Sequence, residues 1–66
     1  MNECRHYAYR GHDIILRADE QRPGFWGWTF VIDGGAPATG GTFPHPWAAL
    51  VKGLYAARST VDQMAH

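Results

Sequence analysis

The residue types best suited to metal binding or acid–base chemistry are four histidines and a single cysteine. They are His6, His12, His45, His66 and Cys4. Cys4 and His6 form the only close pair, whereas a structural zinc site needs four ligands at workable spacing on ordered elements. We therefore predict no metal site and no cofactor, and we expect the histidines to be exposed or to act as caps.

The sequence also contains no recognisable set of catalytic residues. His12 precedes Asp13, as a general base might precede its orienting carboxylate, but adjacent residues of a strand point to opposite faces. Ser59 lies near Thr60 and Asp62 on what reads as the polar side of a helix, far in sequence from any base. The sequence therefore predicts a non-enzymatic protein with no catalytic residues.

Length and charge narrow the class of protein. The 66 residues allow one small domain with one core, and a domain of this size buries only about 60% of its unfolded surface, so a partner is often needed. Lysine plus arginine and aspartate plus glutamate number six each, which gives zero net charge. Neutrality disfavours nucleic-acid binding and favours self-association.

The cellular compartment is suggested by cysteine usage and hydropathy. One cysteine cannot form an intramolecular disulfide, which indicates a reducing compartment. No apolar run approaches the roughly 18 residues of a membrane span, and the first ten residues lack a secretory hydrophobic region. We expect a cytoplasmic protein without a membrane segment.

The segment Phe25–Ile32 is predicted to be the central strand. A period of two places one set of side chains on one face, namely Trp26, Trp28, Phe30 and Ile32. The other face then carries Phe25, Gly27, Thr29 and Val31. Both faces are apolar, and Gly27 is expected to expose bare backbone between its neighbours.

The chain before this segment is expected to contain one strand, which forms a hairpin with the central strand. Residues 1–6 are polar without a period, so we predict that they are disordered and that order begins at Tyr7. His12–Asp19 alternates as a half-buried strand, and Gln21–Gly24 reads as a turn. An odd loop places Ile14 and Leu16 with the tryptophans, whereas an even loop places them with Phe25, Thr29 and Val31. We favour the odd loop because it collects the bulkiest residues.

The following chain predicts a second hairpin and a helix. Asp33-Gly34-Gly35 is a turn signal, and Ala36–Phe43 would be a weak edge strand anchored by Phe43. Pro46 suits the first helical position. A sheet-facing stripe is then expected at spacings of three and four, made of Trp47, Leu50, Val51, Leu54, Ala57, Val61 and Met64. Arg58 interrupts this stripe, and we expect its stem to snorkel towards the sheet edge.

These elements predict an α+β fold in the order β-β-β-α, with a three-stranded antiparallel sheet and one C-terminal helix packed on one face. The second face of the sheet has no cover within the chain. We predict that it is an interaction face covered by a second copy or a protein partner. Its residues are Ile15, Arg17, Phe25, Gly27, Thr29, Val31, Tyr7 and Tyr9.

Two stretches carry a family resemblance. Tyr9-Arg10-Gly11-His12-Asp13-Ile14 resembles a class of short bacterial proteins that open with Tyr-Lys/Arg-Gly. Gly40-Gly41-Thr42 before Trp47-Ala48-Ala49-Leu50 is similar to the Gly-x-Thr that leads into the helix of HicB-type antitoxin N-terminal domains. The likeness spans Tyr9–Asp62 in element order, without that family's Pro-Asp-Leu-Pro-Gly stretch. It implies a fold and a habit of pairing with another protein chain.

Two functions follow as hypotheses. The first is a protein-interaction module, either a homodimer or a partner-binding regulatory protein of antitoxin-like type. The alternative is a single-stranded nucleic-acid-binding protein that stacks bases on Phe25, Tyr7 or Tyr9. Its cationic rim would consist of Arg10, Arg17 and Arg22.

Overall fold

In the computed structural model, which describes residues 3–64, the chain forms one antiparallel sheet and one C-terminal helix. The strands are β1 (Glu3–Tyr9), β2 (His12–Arg22), β3 (Phe25–Ile32) and β4 (Ala38–Phe43), and the helix is α1 (Pro46–Met64). Each strand pairs with the next one in the chain, in the order β1-β2-β3-β4. The α+β class is therefore confirmed, but the prediction of three strands is wrong because the sheet has four.

The additional strand is β1, at one edge of the sheet. It pairs with β2 along its whole length, with Glu3 opposite Ala18 and Tyr9 opposite His12. The expectation that residues 1–6 are disordered is wrong for residues 3–6, whereas Met1 and Asn2 lie outside the described residues. An edge strand is held largely by backbone hydrogen bonds to its neighbour, so a polar sequence without an apolar period can still form one.

Two of the tight turns contain two successive residues with positive φ, and the second residue of each is a glycine. Arg10 and Gly11 have φ of 53° and 81°, and Asp33 and Gly34 have φ of 52° and 71°. Two successive positive φ values define the type I′ turn that matches the twist of a hairpin. The turn at Asp33 was predicted from its residue types.

The β2–β3 register confirms the faces that the odd-loop prediction gave, although the turn itself encloses only two residues between the paired Arg22 and Phe25. Ile14 lies opposite Ile32, and Leu16 lies opposite Phe30, so these side chains share the helix-facing side of the sheet. The register shifts between Glu20 and Arg22, which places Gln21 in a bulge before the turn. The fully or nearly fully buried apolar residues are Ile14, Leu16, Ala18, Phe30, Ala49, Ala57 and Val61.

The helix begins at Pro46 as predicted, but its rotation differs from the prediction. It buries Ala49, Gly53, Ala57 and Val61, which recur at every fourth residue. Trp47, Val51 and Met64 were predicted to face the sheet, yet their side chains are 64%, 48% and 52% exposed.

The reason for this rotation is the close approach of α1 to the sheet. A Cβ atom added at Gly53 would lie 2.6 Å from Leu16 Cδ1 and 2.7 Å from Trp28 Cβ. Only the side of the helix made of small residues can come this close, so that side faces the sheet. Leu50 and Leu54 pack at the margin of the core.

Candidate functional site

The helix carries a second apolar surface, which adjoins the core at Leu54 and extends outward from there. We call it the outer flank and define it as Trp47, Val51, Leu54, Tyr55 and Arg58. Trp47 and Tyr55 are 64% and 68% exposed. At about 100° per residue, positions three, four, seven and eight apart fall on one side of a helix, so these side chains form a continuous strip.

A shallow depression of about 220 Å³ lies within the outer flank, lined by Val51, Leu54, Tyr55 and Arg58. The guanidinium carbon of Arg58 lies 5.4 Å from the centroid of the Tyr9 ring on strand β1. The stem of Arg58 therefore runs along the apolar strip while its charged end reaches the edge of the sheet, as predicted. The flank combines apolar area with one cation at its C-terminal end.

The hairpin formed by β1 and β2 fixes the C-terminal part of the helix. The Tyr9 hydroxyl donates to Asp62 Oδ1 over 3.0 Å, and the Arg10 guanidinium donates to the same oxygen over 2.8 Å. The hydrogen bond to the Asp62 carboxylate, followed by desolvation, raises the pKa of Tyr9 above its usual value. The same carboxylate raises the pKa of Arg10. These contacts hold the helix at the rotation that leaves the outer flank exposed.

The sheet face opposite the helix, which we call the open sheet face, brings together six of the eight predicted interaction residues. They lie at alternate positions of β2 and β3 and are Ile15, Arg17, Phe25, Gly27, Thr29 and Val31. Tyr7 and Tyr9 lie on the opposite side, because Tyr7 is paired with Ile14, and both tyrosines pack against the core. The prediction that placed them on the open face is wrong, since it began the ordered chain at Tyr7 and had no strand partner to set their phase.

Charged groups cover much of the open sheet face. His6 Nε2 lies 3.6 Å from Asp13 Oδ1, and Arg17 lies 3.7 Å from an Asp19 carboxylate oxygen. Ile15 and Phe25 are the large exposed hydrophobic residues there, at 46% and 42%. This mixture of charged pairs and isolated apolar side chains is typical of a solvated sheet face.

Two further details reduce the apolar area of the open sheet face. The guanidinium of Arg22 lies over the Phe25 ring, 5.1 Å from its centroid. The prediction of bare backbone at Gly27 is wrong, because Gly27 is buried and the Gln21 side chain occupies the space that a Cβ would fill. The bulge at Gln21, which turns this side chain over Gly27, is not apparent from the sequence.

The histidine that precedes Asp13 pairs with a different carboxylate. His12 Nδ1 lies 2.5 Å from Asp33 Oδ2, and the Asp13 backbone N–H donates to Asp33 Oδ1 over 2.9 Å. The hydrogen bond with His12, and then the one from Asp13, lowers the pKa of the Asp33 carboxyl. These contacts join the ends of two hairpins. Among residues 3–64 no group of three histidine, cysteine or acidic side chains could hold a metal ion.

The outer flank is the surface that sequence reasoning missed. The missed signal is the recurrence of small residues at every fourth position, Ala49, Gly53 and Ala57, which marks the side of the helix able to approach a sheet closely. Turning that side inward moves Trp47 and Val51 outward. Trp47 and Val51 were assigned to the core because the prediction followed apolar residues at spacings of three and four and gave no weight to Ala49 and Gly53.

Comparison of the chain with protein-family models, with curated proteins and with solved structures finds no match. Within residues 3–64, no helix is both long enough and apolar enough to cross a membrane.

Proposed function

We propose that this chain is a non-enzymatic protein-interaction module that forms a homodimer through the outer flank of α1. The observation that carries the proposal is that Trp47, Val51 and Tyr55 are exposed on the helix side turned away from the chain's own core. A large apolar strip of this kind on a small protein commonly marks a surface that binds another protein. A single cysteine in the chain suits the cytoplasm as the place where the module works.

The area of the strip suits a weak dimer. A buried aromatic side chain contributes roughly 150–250 Å², and Trp47 and Tyr55 are 64% and 68% exposed. These two residues therefore offer roughly 200–330 Å² per copy, or roughly 400–660 Å² for a pair. A specific interface usually buries about 1,200–2,000 Å² in total. Two aromatic residues from each copy thus supply a substantial part of that area, and we expect micromolar association.

A second copy is the occupant favoured by charge. The chain has zero formal net charge, so two copies approach without long-range repulsion. The outer flank also carries both the large apolar rings and the cation, Arg58, that a ring can bind. The Arg58 cation of one copy can therefore bind an aromatic ring of the other copy.

The helix offers a better surface than the open sheet face, where the sequence had placed the interface. Four of the six large exposed hydrophobic residues in the described chain lie on α1: Trp47, Val51, Tyr55 and Met64. Ile15 and Phe25 on the sheet are separated by charged neighbours. Desolvating those ion pairs would offset part of the gain from burying two apolar side chains.

The resemblance to HicB-type antitoxin N-terminal domains adds a habit of pairing with another protein chain. If a different protein binds in place of the second copy, the proposed module would act as a partner-binding regulatory protein. This extension rests on the resemblance alone.

Single-stranded nucleic-acid binding is supported less well by the geometry. Phe25 is the only phenylalanine, tyrosine or tryptophan on the described part of the open sheet face, because Tyr7 and Tyr9 face the helix side. The carboxylates of Asp13 and Asp19 lie beside the cationic groups of that face. Titration with a mixed-sequence oligonucleotide at low salt should leave tryptophan and tyrosine emission unchanged, and a salt-sensitive change would favour this second function.

Sedimentation velocity over the micromolar range tests the proposal. We expect the apparent mass to rise from 7.4 kDa towards twice that value as concentration increases, because the interface is small. A mass that stays at 7.4 kDa up to high micromolar concentration would overturn the homodimer.

A matched pair of variants identifies the surface. Val51 on the outer flank and Ile15 on the open sheet face are 48% and 46% exposed, and both are β-branched. We expect Val51→Lys to weaken the dimer at least tenfold, because a charge enters an apolar contact. Ile15→Lys should leave the dimer unchanged. Dissociation by Ile15→Lys with no effect of Val51→Lys would contradict the assignment to the helix.

A further inference from the structure

Four of the five outer-flank residues have a spacing that is the same in both directions along the helix. Trp47, Val51, Leu54 and Arg58 are separated by four, three and four residues, so these four are symmetric about a point between residues 52 and 53, whereas Tyr55 lies outside the pattern. Spacings of three and four in alternation are those of residues that pack helix against helix. A twofold axis through that point places Trp47 of one copy opposite Arg58 of the other, and Val51 opposite Leu54.

We infer that two α1 helices pair antiparallel about this twofold axis, with Arg58 of each copy stacked on Trp47 of the other. The inference rests on the proposed function and names its partner geometry. A parallel pair would bring the two Arg58 side chains together, whereas the antiparallel pair brings each cation to an aromatic ring. The cation therefore meets an aromatic ring only in the antiparallel orientation, and this contact sets the direction of pairing.

The position of Arg58 suits this contact. Its guanidinium already lies over the Tyr9 ring of its own chain, 5.4 Å from the ring centroid. The residue is still exposed. A planar guanidinium can stack on aromatic rings with both of its faces, so Tyr9 of the same chain would orient Arg58 and Trp47 of the second copy would cover it. His45 stacks on one face of the Trp47 ring, with centroids 5.8 Å apart, and the 64% exposure of Trp47 leaves the other face open to such a contact.

The two pairing directions differ in the distance between labels near the end of the helix. Cys4→Ser removes the one native thiol, and Gln63→Cys on the exposed side of α1 then carries a spin label. Residue 63 lies ten to eleven residues from the proposed axis, so antiparallel copies separate the labels by about 30 Å along the helix. Parallel copies in register leave only the lateral separation between helices, about 8–10 Å between axes, plus the reach of the labels.

Pulsed electron–electron double resonance on the spin-labelled dimer therefore distinguishes antiparallel from parallel pairing of the helices. We expect label distances beyond about 30 Å. A distribution centred below about 25 Å would overturn antiparallel pairing while leaving the homodimer in place. A wild-type chain that stays monomeric would instead overturn the proposed function, so the two failures are distinguishable.

The Arg58–Trp47 contact is tested by a second matched pair. Arg58→Met keeps an apolar stem and removes the cation, and Lys52→Met does the same on the polar side of the same helix. We expect Arg58→Met to raise the dimer Kd about fivefold to thirtyfold, because two symmetric cation–π contacts are lost, and Lys52→Met to leave it unchanged. Circular dichroism checks that both variants are folded. An unchanged Kd for folded Arg58→Met would overturn the contact.

Discussion

Gly53 of α1 lies against Trp28 of β3 so closely that an added Cβ would be 2.7 Å from Trp28 Cβ. Trp28 Cβ is attached directly to the backbone of β3, so neither Gly53 nor Trp28 can move aside without a cost in free energy. This contact sets both the distance between helix and sheet and the rotation of the helix. The outer flank is exposed as a consequence.

Gly53→Ala should therefore destabilise the fold, although alanine favours a helix. Overpacking costs about 1–3 kcal/mol, and the better helix propensity returns about 1 kcal/mol. We expect a net loss of about 1 kcal/mol in the free energy of unfolding, measured by urea denaturation at fixed protein concentration. Ser59→Ala, at an exposed position of the same helix, should cause no loss. A Gly53→Ala variant more stable than the wild type would contradict the close packing.

The Trp28 ring meets a second glycine at its far end. A Cβ added at Gly40 would lie 2.6 Å from Trp28 Cζ2, and the ring stacks on Phe30 with centroids 5.3 Å apart. Gly40→Ala should displace the indole, change the near-UV circular dichroism and cost about 1 kcal/mol or more. Thr39→Ala changes the opposite face of the same strand, so its near-UV spectrum should match the wild type. An unchanged spectrum for Gly40→Ala would show that Trp28 does not occupy this space.

The two N-terminal tyrosines form another matched pair. The Tyr9 hydroxyl donates to Asp62, whereas the Tyr7 hydroxyl has no hydrogen bond to another described residue. Tyr9→Phe should lower the free energy of unfolding, because a hydrogen bond between the sheet and the helix is lost. Tyr7→Phe should have little effect, and equal effects of the two substitutions would contradict the role given to Asp62.

The raised pKa of Tyr9 gives this contact a pH dependence. The folded state retains the phenol proton more strongly than the unfolded state. The stabilisation is therefore complete below the ordinary tyrosine pKa and is lost as pH rises through the raised value. The stability difference between the wild type and Tyr9→Phe should shrink at alkaline pH. Tyrosinate absorbance should show one late-titrating group in the wild type that Tyr9→Phe lacks.

Asp33 gives the opposite dependence, because its pKa is lowered. Its stabilisation is complete above the ordinary carboxyl pKa and is lost as pH falls through the lowered value. Asp33→Asn tests this cleanly, since asparagine also tolerates the φ of 52° and Asn-Gly favours the same turn. We expect the stability difference from wild type to diminish as the pH falls below about 4. NMR titration should place the Asp33 midpoint higher in His12→Ala, and an unchanged midpoint would contradict the His12 contact.

Much of the sheet follows from residue types near one another in the chain. Glycine and aspartate mark the turns because they tolerate positive φ more readily than most residues, and proline marks them because its ring fixes φ. Alternation along β2 and β3 sets which side chains share a face, and the bulk of Ile14 and Leu16 selects the register with Trp28 and Phe30. Pro46 begins the helix because its missing N–H and its fixed φ suit that position. These preferences act over a few residues or one hairpin, so the sequence by itself determined them.

Tertiary structure decided the edge strand and the direction in which the helix faces. Strand β1 forms because β2 offers its unpaired backbone groups, a property of the neighbour rather than of residues 3–6. The helix turns Gly53 inward and Trp47 outward because the closest approach to Leu16 and Trp28 is steric and pairwise. Apolar periodicity identifies the residues that prefer burial, but it does not measure how near two surfaces can come. That distance moved the candidate interaction surface from the sheet to the outer flank of α1.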